Sequence, residues 1–319
     1  MENNLKPTVV VSRCLGFDYC RYNGDIKPDK FVQKLGNFVN YITVCPEVGI
    51  GLPIPRDPIR VVSEKNNLIL YQPSTGKDLT ADMNKFSEDF LSSLPEIDGF
   101  ILKGRSPSCG IKDVKIFLGK ENTSGSVKGS GLFAKAVLEK FSEKAIEEEG
   151  RLTNFKIREH FLTKLFLFYR FRQIKKSNSM AELIKFQSDN KYLFMAYNQK
   201  EQKLLGRIIA NHEKNSFDEL IKDYEKHLSS AFAKTPRYTS IINALQHIFG
   251  YFSDKLSSKE KDFFLNTLEK YRENKIPLSV LIHLLKGYAI EYNEEYILQQ
   301  TILSPYPDEL VDISDSGNS

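Results

Sequence analysis

Residues 97–113 read "IDGFILKGRSPSCGIKD". A short apolar run, Gly99 to Leu102, is followed at once by a loop of Gly, Ser and Pro that carries Cys109. A run this short, bounded by turn residues, reads as a buried strand and not as a helix. The same pattern occurs twice upstream. "TVVVS" (8–12) is followed two residues later by Cys14, and "YITVCP" (41–46) contains Cys45 near its end. "IRVVSEKNNLILYQP" reads as a hairpin turning at Asn66-Asn67, and "DVKIFL" (113–118) as a further strand. Helical patterns lie between them: "DKFVQKLGNFV", "TADMNKFSEDFLSSL" with Thr80 as its N-cap, and "GSGLFAKAVLEKFSEKAIEEE". Alternating strand and helix predicts an α/β layer with a mainly parallel sheet and flanking helices.

From about residue 151 the period changes. Apolar residues recur at three and four spacing through six segments, from "FKIREHFLTKLFLFYRFRQI" to "PLSVLIHLLKGYAIEY". These are amphipathic helices, so a separate all-α C-terminal domain is expected. The expected division is 1–150, 151–308 and a disordered acidic tail over 309–319. A chain of 319 residues suits two domains. It has no apolar run of membrane-spanning length. The N-terminus does not resemble a signal peptide, so a cytoplasmic location with reduced thiols is expected.

Charge is uneven. Residues 1–150 hold 20 basic and 20 acidic side chains, and the rest hold 25 and 21. Modest basicity in the helical half permits a nucleic-acid partner without demonstrating one.

There are four cysteines: Cys14, Cys20, Cys45 and Cys109. In parallel sheets, ligands collect where loops leave the C-terminal ends of strands. Cys14, Cys45 and Cys109 all follow strands, so they can converge on one edge. Their spacing is neither a zinc ribbon nor a ferredoxin run, which leaves a metal site and buried structural thiols both open. Glu47, Ser106 and Ser108 stand close to these thiols in sequence. A carboxylate there can act as a base, and hydroxyls can donate to thiolates or substrate.

Three blocks, "SRCLGFDYCRYNGD", "CPEVGIGLPIPRDPIR" and "KGRSPSCGIKDVKIF", resemble the signature blocks of the TudS family of thiouracil desulfidases. The second half resembles the YbgA-like helical domain, through "KYLFMAYNQKEQKLLGRIIAN", "NALQHIFGYF", "RENKIPLSVLIHLLKGY" and "YILQQTILSPYPDEL". The resemblance implies a [4Fe–4S] cluster held by Cys14, Cys45 and Cys109, with one iron open to the sulfur of a thiolated pyrimidine. It implies Glu47 as the base and Ser106 or Ser108 as the group that orients substrate or water. It also implies a non-redox desulfuration of thiouridine in tRNA, 4-thiouridine being the expected form, or of free thiouracil. The alternative is a non-catalytic metal- or RNA-binding module of the same family. Cys20 stands where the family usually has an aliphatic residue and is read as its buried replacement, the alternative being a fourth thiolate that would close the cluster. Arg21 and Arg56 are candidates for an anionic part of the substrate or for surface or inter-loop ion pairs. Arg170, Arg172, Lys175 and Lys176, with Lys203, Arg207, Lys234 and Arg237, are candidates for RNA contact, and Phe168, Tyr169 and Phe171 for core or base stacking. His247 is read as a buried, hydrogen-bonded histidine. Tyr197 stands where the family block has His.

Overall fold

A computed structural model of the chain describes residues 6–64, 67–121, 125–211 and 214–312. Its contacts divide it into two compact units, Met1–Tyr169 with Glu309–Ser319, and Arg170–Asp308.

The first unit is α/β, with two sheets. Strands β1 (Thr8–Ser12), β2 (Asn40–Val44), β6 (Gly99–Leu102) and β9 (Ala145–Glu148) form a parallel sheet in the order β2-β1-β6-β9. Strands β3 (Arg60–Glu64), β4 (Asn67–Gln72), β5 (Lys77–Asp78), β7 (Val114–Phe117) and β8 (Ser126–Gly129) form a mixed sheet, in which only β3 and β7 run parallel. Helices α1 (Lys30–Leu35), α2 (Pro46–Gly49), α3 (Thr80–Ser93) and α4 (Leu132–Lys140) fill the connections. Val9, Val10, Val11, Phe100, Ile101 and Leu102 are wholly buried, as expected for central strands covered on both faces. The expected turn at Asn66 lies outside the described residues.

Three local expectations are corrected. The segment read as one helix up to Glu149 contains α4 and then β9, because its last residues pair with β6 at the sheet edge. Thr80 is not a cap. Leu79 holds that position, and the Thr80 hydroxyl accepts from the Leu70 amide at 2.8 Å. The ordered chain also runs past residue 308. Asp308–Leu310 form a 3-10 turn with Leu310 buried, while 313–319 lie outside the described residues.

The second unit is helical. Helix α5 (Phe155–Ser177) runs through the division at Tyr169/Arg170, with about two thirds of its 23 residues in the first unit. Phe161, Leu162 and Leu165 of that half are buried, and a Cβ on Gly99 would stand 3.2 Å from the Leu165 side chain. Beyond α5 come α6 (Met180–Asp189), α7 (Lys191–Tyr197), α8 (Gln199–Ala210), α9 (Phe217–Ala231), α10 (Tyr238–Phe249), α11 (Ser258–Arg272), α12 (Leu278–Glu291) and α13 (Glu295–Leu298). Ser216 and Ser257 begin α9 and α11 with full capping boxes. The core is aromatic. Phe171 stacks on Tyr224 at 5.5 Å between centroids and meets Phe186 at 5.8 Å, and Phe249 stacks on Phe264 at 3.9 Å. Among the described residues no helix is long and apolar enough to cross a membrane.

Candidate active site

Strands β2, β1 and β6 are adjacent and parallel, so the loops after them leave from one edge. The chain after β1 carries Cys14 and Cys20. Cys45 is the N-cap of α2, directly after β2. Cys109 lies in the loop after β6. All four thiols line a single cavity of about 310 Å³, together with Ser12, Arg21, Tyr22, Glu47, Arg56, Lys103, Arg105 and Ser106. All four cysteines are free.

The Cys109 loop is fixed at both ends and from beneath. Buried Ser12 accepts from the Lys103 amide at 2.9 Å. Glu149 accepts from the Gly104 amide at 2.7 Å and from Lys103 Nζ, and buried Glu148 accepts from the Ile111 and Lys112 amides. The first turn of α4 supplies amides to the loop carbonyls: Leu132 to Pro107 at 3.2 Å and Ala134 to Ser108 at 3.0 Å. This close seating explains Gly131, where a Cβ would lie 2.5 Å from the Ser108 carbonyl oxygen.

Glu47 is the polar centre of the cavity wall. Its Oε2 accepts from Arg56 Nε at 2.9 Å and Nη2 at 2.7 Å, and its Oε1 accepts from Ser108 Oγ at 2.8 Å and Ser106 Oγ at 3.5 Å. Ser106 Oγ itself accepts from the Ser108 and Cys109 amides at 3.2 and 3.1 Å. The two serines, equivalent in sequence, are thereby distinguished. Ser106 lines the cavity, whereas Ser108 is wholly buried and is not part of the lining.

Arg56 takes the inter-loop ion pair, one of the two roles expected of it. Its side chain is 3 % exposed, pairs with Glu47, and donates to the Cys20 and Pro53 carbonyls at 3.0 and 3.3 Å. Those donors tie three loops together and are used within the protein. Arg21 does line the cavity, with its guanidinium 5.9 Å from the Tyr22 ring centroid.

Cys20, Cys45 and Cys109 sit in surroundings that favour their protonated form. The Cys20 thiol is hydrogen-bonded to those of Cys14 and Cys45, and the Cys14 contact, with burial, pushes it up to about 11. Cys45 is pushed up by its bond to Cys20 and then by burial. Burial pushes Cys109 up, opposed by hydrogen bonds from Ser12 and Ser106. Cys20 is wholly buried, as a replacement for an aliphatic residue would be, and it also lines the cavity, as the fourth-thiolate alternative requires.

Among the described residues, no group of three or more His, Cys, Asp or Glu surrounds a point that a single metal ion could hold. A cubane needs another arrangement, with its thiolates at separate corners roughly 6–7 Å apart. Cys14, Cys45 and Cys109 meet its chemical requirement: soft donors from three separate segments around one cavity.

The residues expected to contact RNA differ in exposure. Arg170 is half-buried, burial holds its pKa below the usual guanidinium value, and its Nη2 donates to the Pro305 carbonyl at 2.9 Å. Arg172 is half-buried, and Lys175 is paired with Glu225 at 2.6 Å. Phe168 and Phe171 are core residues, which corrects the stacking reading. Lys176, Lys203, Arg207, Lys234 and Arg237 are exposed. His247 is exposed, contrary to expectation, and Tyr197 packs on Phe232 at 4.1 Å.

A parallel sheet with a thiol-lined cavity at its C-terminal edge, a serine-bound carboxylate in the wall and a helical second unit make up a two-part chain with a candidate active site in its α/β unit. Comparison with known proteins gives the family. Residues 9–149 match the family model described as 2-thiouracil desulfurase, and residues 191–307 match DUF1722, a protein domain of unknown function. The uncharacterized protein YbbK of Bacillus subtilis is 31 % identical over 149 residues, covering 44 % of this chain and 95 % of YbbK. The uncharacterized protein YbgA of Escherichia coli is 22 % identical over 158 residues, covering 49 % of this chain and 93 % of YbgA. A solved structure of the [4Fe-4S]-dependent thiouracil desulfidase TudS is 29 % identical, covers 46 % of this chain and 93 % of its own, and superposes with a TM-score of 0.37. The chain belongs to the 2-thiouracil desulfurase family, with its desulfurase module fused to a DUF1722 domain. Its N-terminal unit therefore has a desulfidase-type function.

Proposed function

We infer that the chain hydrolyses the carbon–sulfur bond of a thiolated pyrimidine, 4-thiouridine in tRNA or free thiouracil, with a [4Fe–4S] cluster held by Cys14, Cys45 and Cys109. The observation that carries this reading is the convergence of those three thiols and the Glu47 carboxylate on one cavity. When bound, the cluster supplies a Lewis-acidic iron with an affinity for soft sulfur. The rest is the work of the chain. Glu47, held by Arg56 and Ser108, takes a proton from the attacking water. Ser106, pinned between Glu47 and two loop amides, orients that water or the pyrimidine ring. One water enters, the C=S group becomes C=O, and the sulfur leaves as hydrogen sulfide. No electron is gained or lost, so no redox partner is required.

The tRNA part of this reading is supported by the exposed Lys203 and Arg207 on α8, by Lys234 and Arg237, and by the basic excess of the C-terminal half. The test is anaerobic reconstitution followed by incubation with thiouracil and, separately, with thiolated bulk tRNA. Iron should be found at about four per chain, with broad absorbance near about 400 nm, and sulfide should be released from both substrates. Turnover without iron would overturn the cluster assignment. Release from thiouracil alone would restrict the substrate to the free base.

A further inference from the structure

A groove lies beside the cysteine cavity, and the two share a wall. It encloses about 700 Å³ and is lined by Ile59, Arg60, Arg105, Pro107, Asp113, Val114, Lys115, Phe117, Ser126, Val127 and Lys128. Arg105 and Pro107 line both spaces. The groove runs over the mixed sheet, at strands β3, β7 and β8, and the catalytic reading leaves it without a role.

Its lining combines two chemistries. Four basic side chains face one carboxylate, and that carboxylate is already engaged: Asp113 accepts from Lys128 Nζ at 3.0 Å, and the pairing holds its pKa below the usual range. Lys115, Lys128 and Arg105 are exposed. Arg60 is half-buried, with its guanidinium 5.0 Å from the Phe117 ring centroid and 5.8 Å from that of Tyr71. Between the charges lie apolar surfaces, among them Val127, 50 % exposed. Cationic side chains over an apolar and aromatic floor suit a chain of phosphates with sugars and bases between them. An acidic peptide would match the charges but would have no use for the connection to a cavity that, on the proposed function, takes a pyrimidine.

We propose that this groove is a phosphodiester track, which holds the polynucleotide flanking the thiolated base while that base occupies the cysteine cavity. The proposal rests on the tRNA reading of the substrate. It adds that part of the RNA surface belongs to the desulfurase unit itself, with Arg105 at the junction between base and backbone. Lys115 and Lys128 are the residues to probe, because they line the groove and not the cavity.

The experiment measures binding of bulk thiolated tRNA to the full-length chain by fluorescence anisotropy over a range of salt, for wild type, for Lys115→Glu with Lys128→Glu, and for Lys115→Arg with Lys128→Arg. Circular dichroism checks the fold, and Lys115→Gln with Lys128→Gln serves in place of a charge reversal that does not fold. For every phosphate that a variant no longer neutralises, the slope of log affinity against log salt should become shallower by about one. The reversed or neutralised pair should therefore bind more weakly with a shallower slope, and the arginine pair should match wild type. A protein that binds tRNA, and whose reversed variant keeps the wild-type affinity and slope, overturns the track alone. A wild type that releases sulfide from thiouracil but binds no tRNA overturns the tRNA reading and the track together.

Discussion

The two units use their charged and reactive side chains in opposite ways. In the α/β unit, residues far apart in sequence meet at one sheet edge, and nearly every polar group there has a partner that fixes it. Ser106 alone bonds Glu47 and two amides. In the helical unit, the basic residues are spread along helices. One of them, Arg170, is drawn into the interior to serve a carbonyl. Here the parallel strands supply a directional edge on which segments far apart in sequence converge. The candidate catalytic groups therefore lie in the first unit, while the basic excess of the sequence lies in the C-terminal half.

The largest effect that tests this contrast is loss of a thiol. Cys45→Ala or Cys109→Ala should abolish iron retention and desulfuration together, read as iron per chain and absorbance near about 400 nm. Full iron in either variant would break the assignment of the α/β edge as the metal site. Next comes the helical core. Phe171→Ala removes a ring that is 1 % exposed and should cost about 3–5 kcal/mol of stability in denaturant unfolding. If it weakened tRNA binding with no stability loss, Phe171 would be a surface aromatic and the contrast would fail.

Glu47→Gln should keep the iron and lower kcat by about 10²-fold, or roughly 2.7 kcal/mol in activation free energy. Normal turnover would make Glu47 a brace for Arg56 and move the base elsewhere. The smallest effect concerns α5. Burial holds His160 down at about 4, below its ordinary 6.5. Between those values the unfolded chain binds the proton and the folded one does not, so stability falls as pH drops from about 6.5 toward 4. His160→Gln should flatten that slope in thermal melts, and an unchanged slope would assign the loss to other groups.

Much of the first unit is legible in the sequence, because a buried strand leaves an apolar run and its loop leaves Gly, Pro and Ser. Cys14, Cys45 and Cys109 can be placed at one edge on that basis alone. What cannot be read depends on distance through space. Ser106 and Ser108 differ only in which of them faces the cavity. Pairing of Arg56 with Glu47 needs the fold of the loop after α2. Strand β9 is hidden because "AIEEE" has the composition of a helix, and its pairing with β6 overrides that propensity. On α5, aromatic and basic residues alternate so densely that no face can be singled out, and nothing in the sequence draws Arg170 away from solvent.

The pair of carboxylates at the end of β9 has a consequence for synthesis. Gly104 leaves the ribosome 45 residues before Glu149, the group that secures its amide. Through that interval the segment bearing Cys109 is exposed to the cell without its anchor, while Cys14 and Cys45 have already emerged. The loop that carries Cys109 gains its carboxylate anchors only when the last strand of the sheet docks. A nascent chain stopped short of β9 thus holds the three proposed cluster ligands without the groups that fix the third, and the proposed loading of a cluster falls after synthesis of β9.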